Sequence, residues 1–398
     1  MMDARTEYRR FAINSQSSDS LRRKQLEVSM YLSDARFFRD LAGDLANKKL
    51  GDLALAFMPW FALFITESLA LLRRSEGVHF EAFDEGASEA RIETLRHSIK
   101  WMSQPKTTSD YWLGVFRSRV AEQRLEFLGH ARFRWARRFE RDLAVLEVDG
   151  RFLATGHQMA HVYDFDFSVV DGEWFSGLAR DIAAFSASAY PEDVEFGPSF
   201  VRPILPSSVR WHDTLSSRFY VLDGQQDDNA GYLFALAGFL SSADLIRLGP
   251  YLPDDITALK IRWVALFQVR ESLRLLSRQG DQLARVAASL LADSDQRLPA
   301  LGSKQGRWLR NFLVHYTVHP DLDLSAFASD APGLGVPRVF FGEGGDQLFT
   351  AAAHEVSNLR AAILASIGPR ADALPRASRE RRDLARWRSA AERIGGSV

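Results

Sequence analysis

The chain has 398 residues, enough for one large domain or two to three of ordinary size. With 46% hydrophobic, 12% aromatic and 25% charged residues it is composed as a folded protein, not a disordered or fibrous one. Fifty Lys and Arg balance 51 Asp and Glu, so whole-molecule attraction to nucleic acid or anionic membrane is not indicated and any basic function must be patchy; zero cysteines remove disulfides, thiolate metal sites and thiol nucleophiles together.

Only seven of the 50 basic residues are lysines, a bias typical of GC-rich bacterial genomes. The opening MMDARTEYRRFAINSQSSDSLRRK lacks the apolar core of a signal peptide, and the expected compartment is the cytoplasm. From about Ser20 to Leu50, Leu26, Met30, Phe37, Phe38, Leu41 and Leu45 recur at helical spacing and predict an amphipathic helix. The next run, Leu53 to Leu72, is 20 residues long and mostly apolar, so it must be tested as a membrane span. Pro59 is expected to start a helix there, leaving about 14 residues before Arg73, too few to cross a bilayer at about 1.5 Å each. Glu67 inside the run and basic pairs at both ends favour a buried core helix.

After a polar break at 75–86 the chain to about residue 145 reads as helix-rich. It ends in Arg132, Arg134, Arg137, Arg138 and Arg141, a cluster that fits a solvated face better than an RNA-facing one. Between Val145 and Phe175 the period changes. Asp149-Gly150 and Asp171-Gly172 each lie between β-forming runs and predict two hairpins, a small meander. Residues 191–230, rich in Pro, Ser, Asp and Gly, read as irregular structure or a linker, with a boundary near Pro250.

Beyond Pro253 four helices are expected. The first runs to about Gln279, the second from Gly280-Asp281 to about Leu291, and the third is capped by Ser303 and must end before Pro320. The fourth opens at Thr350 and stops at Gly368-Pro369. The intervening GLGVPRVFFGEGGD reads as a Gly- and Pro-containing loop, with Gly342 to Gly345 as a hairpin turn, because no Lys-Ser/Thr follows to make a phosphate loop. The tail from Arg370 carries eight Arg against four acids and reads as a solvated terminus. The expected organisation is mainly α: an N-terminal helical region over 1–145, a mixed β-hairpin and linker region over 146–249, a helical bundle over 250–368, and an Arg-rich tail over 369–398.

The string Arg310-Asn311-Phe312-Leu313-Val314-His315 on the third of these helices carries the most chemistry. Leu309, Phe312, Leu313 and Tyr316 form an apolar stripe, which leaves Arg307, Arg310, Asn311 and His315 on an opposite arc of roughly 140°. Asn311 and His315 are four apart, so the amide can orient the imidazole, and Arg310 can reach the same anion. Such a set suits RNA phosphodiester cleavage. The 2′-hydroxyl must lose a proton, which histidine takes near neutrality, and charge builds on a phosphate that arginine's planar fork fits. No metal or cofactor is required. One His cannot easily serve both ends of that reaction, so two copies facing each other would make chemical sense. With five Asn and nine His in the chain, an RNxxxH string is expected by chance only ~0.01 times.

RNxxxH on the third of four helices, followed by a final amphipathic helix, resembles the HEPN superfamily over about residues 253–368. That resemblance implies a helical, commonly dimeric domain, often a metal-independent endoribonuclease in toxin–antitoxin or phage-defence systems. It implies Arg310 as the phosphate-binding arginine, Asn311 as its polar neighbour and His315 as the catalytic histidine. RNA and a homodimer partner are expected, with a regulatory or antitoxin protein as a further partner and no membrane. Arg307 and the stripe Arg270, Arg274 and Arg278 are candidates to guide RNA. Two other readings stay open: a non-catalytic binding or dimerisation module on the same bundle, and a metal-dependent enzyme using His157 and His161, whose HxxxH spacing falls between the hairpins near Asp164 and Asp166. Asp227-Asp228-Asn229 lies in a turn and is a weaker acidic metal candidate. No Gly-x-Ser-x-Gly elbow exists to start serine hydrolysis.

Overall fold

A computed structural model describes residues 19–47, 51–76, 92–93, 95–97, 99, 141–163, 180, 184–185, 203–204, 206, 208–222, 225–227, 229–245, 247–248, 256–279, 281–325 and 332–367. Within these the chain is mostly helical, with one small three-stranded antiparallel sheet. The second hairpin expected at Asp171-Gly172, residues 132–140 of the arginine cluster and the Arg-rich tail lie outside the described residues.

Helix α1 spans Asp19–Asn47 and buries the residues its period selected, among them Leu26, Met30, Phe38 and Leu41. Helix α2, Gly51–Glu76, corrects the expectation that Pro59 starts a helix: Pro59 lies within it. A proline there cannot donate to the carbonyl four residues back, a cost of about 3 kcal/mol in a helix interior. Burial of Phe57, Trp60, Phe61, Phe64 and Ile65 on both sides of Pro59 offsets it. The apolar stretch Leu53–Arg73 is therefore 21 residues of continuous helix, long enough to cross a membrane, but most of it is buried inside the fold. Trp60 stacks on Phe239 at 4.9 Å between centroids and donates from Nε1 to Ser242 Oγ at 3.0 Å.

Strands β1 (Leu143–Val148) and β2 (Arg151–Thr155) form the expected hairpin. Asp149 and Gly150 both have positive φ, 48° and 75°, as a type I′ turn requires. The third strand, β3 (Val209–Thr214), pairs antiparallel with β1 from Val148↔Val209 to Leu143↔Thr214. It comes from the segment read as linker. So does part of α4, Asn229–Asp244, apolar all round and buried nearly all round. A helix without a polar face belongs in a core. α4 packs on β2 and on two later helices, and at Gly238 any Cβ would meet Gln158 and the Leu153 carbonyl oxygen within 2.7 Å.

The short helix α3, Gly156–Tyr163, follows β2 and carries His157 and His161, a helix where a connection between two hairpins is expected from the sequence. Asp227 caps α4, accepting from the Asn229 N–H at 2.8 Å, so it serves a helix start.

The C-terminal part holds α5 (Ile256–Leu276), α6 (Gln282–Arg297), α7 (Lys304–His315), α8 (Pro332–Phe341) and α9 (Leu348–Ser366). Asp281 and Ser303 cap α6 and α7 as their positions predicted. The GLGVPRVFFGEGGD segment is a correction: it forms α8 with Pro337 inside it, then a 3₁₀ helix over Gly342–Gln347 in place of a hairpin turn. α5 is central, packing on α6, α7 and α9 and also on α1 and α4, so the core runs without a break across residue 250.

Candidate functional site

Helix α7 is fixed at both ends. Ser303 Oγ accepts from Gly306 N–H at 2.9 Å, and Tyr316 closes the helix in the left-handed conformation at φ 51°. Leu309, Phe312, Leu313 and Tyr316 are all buried, as the stripe required. On the opposite arc Arg307 and Asn311 are exposed, and the His315 end meets α2. His315, the last residue of α7, is about one third exposed, and its Nδ1 lies 2.8 Å from Glu67 Oε2. The other oxygen of Glu67, Oε1, accepts from Arg96, whose Nε is 2.9 Å away and whose Nη2 also reaches it.

Glu67 is buried, and burial pushes its carboxyl up. The hydrogen bond and charge of His315 and the Arg96 guanidinium outweigh that and hold it down at about 2. Arg310 shares this field: burial lowers its pKa from the ordinary value, while the Glu67 charge acts against the shift and Arg96 adds to it. Its Nη1 donates to Asn311 Oδ1 at 3.0 Å, and its guanidinium carbon lies 5.5 Å from the centroid of the Phe267 ring. Its buried Nε has no hydrogen-bond partner among the described residues. The expected role for the Asn311 amide is thereby corrected. Its oxygen faces Arg310, and the Glu67 carboxylate takes the imidazole instead because an anion is the stronger acceptor.

One residue beyond the motif lies a second polar cluster. Tyr316 OH donates to Asp34 Oδ2 at 2.5 Å, Thr257 donates to Asp34 Oδ1 at 2.7 Å, and Lys260 Nζ donates to Tyr316 OH at 3.0 Å and to Asp34 Oδ2. All four side chains are buried; burial and the Asp34 charge push the Tyr316 phenol well above its ordinary pKa. Arg23 of α1 donates to the carbonyl oxygens of His319, Pro320 and Leu322, 2.7–3.1 Å away, which pins the loop after α7.

The structure thus brings Arg310, Asn311 and His315 to one helical face and adds Glu67 and Arg96, which the sequence reading did not select. A lone acid inside an apolar 20-residue run was the available signal, since a buried carboxylate demands a partner. The remaining arginines sit elsewhere or are engaged. Arg307 and Arg278 are exposed. Arg270 holds Asp295 at 2.7 Å and Glu271 at 3.1 Å, and Arg274 holds Glu271 at 2.7 Å. His157 is buried with its Nδ1 3.0 Å from Tyr220 OH, and no group of three or more His, Cys, Asp or Glu able to hold a metal occurs among the described residues. No protein-family model, curated protein or solved structure matches the chain, so the likeness to the HEPN superfamily rests on its residues alone.

Proposed function

We propose that the chain is a metal-independent endoribonuclease of HEPN type, with α5, α6, α7 and α9 as its four-helix unit, acting as a toxin or phage-defence effector in the bacterial cytoplasm. Arg310 grips the scissile phosphate. His315 takes the 2′-hydroxyl proton; the 2′-oxygen then bonds to phosphorus as the bond to the 5′-oxygen breaks, leaving a 2′,3′-cyclic phosphate and a 5′-hydroxyl. The leaving oxygen receives its proton from a second imidazole in a homodimer, and an antitoxin-like protein is the regulatory partner.

The observation that carries this reading is the state of Arg310. Its guanidinium is largely desolvated, has no carboxylate within ion-pair distance among the described residues, and keeps a buried Nε without a partner beside a part-exposed imidazole. A permanent cation with unmet donors is a seat for an anion. The expected outcome with total RNA in chelator is cleavage by the wild type and a loss of about 10²- to 10⁴-fold in Arg310→Ala and His315→Ala. A second reading, a binding module without catalysis, is favoured by the internal pairing of His315 with Glu67. Wild-type protein that binds RNA and leaves it intact would decide for it.

A further inference from the structure

The resemblance assigns nothing to Glu67, which lies 248 residues before His315, and the geometry gives it a task. We propose that Glu67 is a positioning residue: its Oε2 accepts the His315 Nδ1–H, which holds the neutral imidazole in the one tautomer that leaves a lone pair on Nε2. The catalytic consequence rests on the ribonuclease reading; the tautomer does not.

Three observations carry it. First, the direction of the bond is fixed. Glu67, its opposite oxygen held by Arg96, is ionised and can only accept, so the proton of the 2.8 Å contact sits on Nδ1. In a neutral imidazole that leaves Nε2 unprotonated, and Nε2 lies across the ring from the carboxylate. Second, the acceptor is itself held, because Arg96 engages the opposite oxygen through two N–H groups. Third, the backbone that carries the ring is held, because the next residue, Tyr316, is tied through its hydroxyl to Asp34 in the buried cluster. Arg96, Glu67 and His315 thus form a chain in which each member orients the next, the logic by which a carboxylate behind a histidine sets its basic nitrogen.

Replacement by glutamine should reverse the bond. Arg96 offers only donors, so it selects the amide oxygen; the amide NH₂ then faces His315 and can only donate to Nδ1, which moves the proton to Nε2. Long-range ¹H–¹⁵N spectra of the full chain read this directly. The wild type is expected to show the Nδ1–H tautomer, Glu67→Gln the Nε2–H tautomer, and Glu67→Asp the wild-type form. In RNA cleavage Glu67→Gln should lower kcat by about 10²- to 10⁴-fold at unchanged KM, with partial recovery in Glu67→Asp. An Nε2–H tautomer in the wild type overturns the proposal, a reading that stands even where Glu67→Gln fails to fold. So does a Glu67→Gln protein that keeps both tautomer and rate. A wild type with the Nδ1–H tautomer that does not cut RNA overturns the ribonuclease reading and leaves the positioning role intact.

Discussion

Glu67 ties this protein's stability to acid. Its folded pKa of about 2 lies below the ordinary 4.5, so the folded state holds on to the carboxylate more strongly than the unfolded chain does. That contribution is complete above about pH 4.5 and is lost as pH falls towards 2. The melting temperature of the wild type is expected to drop more steeply across that window than that of Glu67→Gln, which lacks the ionisation; equal slopes in a pH series of thermal melts would contradict the assignment. The same residue shows the limits of local reading. An isolated acid among Ile65, Leu69 and Leu71 announces a buried charge, yet its partner is set by tertiary packing and has no signature within reach of a helical period. Arg310 and His315 were legible because they share one helix. Asn311 shows how a spacing argument fails, since proximity at i, i+4 permits a hydrogen bond that a better acceptor then takes.

Elements defined by chemistry within four residues were easiest to read. Asp281 and Ser303 cap where their side chains can reach the first free N–H groups, and Asp149-Gly150 turns because both φ values are positive. Elements whose stability comes from burial defied local rules. α2 carries Pro59, α8 carries Pro337, and α4 shows no amphipathic period because nearly every face is covered. The start of α7 has a sharp steric condition. A Cβ on Gly306 would sit 2.1 Å from the Ala300 carbonyl oxygen, and the Gly306 carbonyl oxygen accepts from Trp263 Nε1 at 3.1 Å. Gly306→Ala should therefore destabilise by about 1–3 kcal/mol despite alanine's better helix propensity, measurable by urea denaturation. In α5, Lys260→Met would leave Asp34 buried without its cation and is expected to cost about 3–5 kcal/mol, whereas the pair Asp34→Leu with Lys260→Met should cost less than the single change.

At the scale of the whole molecule, α1 and α2 supply polar partners to the C-terminal helices and the loop after α7. Asp34 answers Lys260, Glu67 answers His315, and Arg23 holds the loop beyond α7. A fragment beginning at residue 250 would keep the motif and lose all three. It is expected to bind a hydrophobic dye and to lack near-ultraviolet dichroism while retaining helix, the marks of a loosely packed state; a sharp, dye-free melt would refute this. The long-range tie between residues 67 and 315 also sets a clock. During synthesis at about 5–20 residues per second, some 12–50 s separate the emergence of the carboxylate from that of its imidazole. For that interval the carboxylate has no imidazole to meet, so the seating of α2 against α7 waits until translation has passed residue 315.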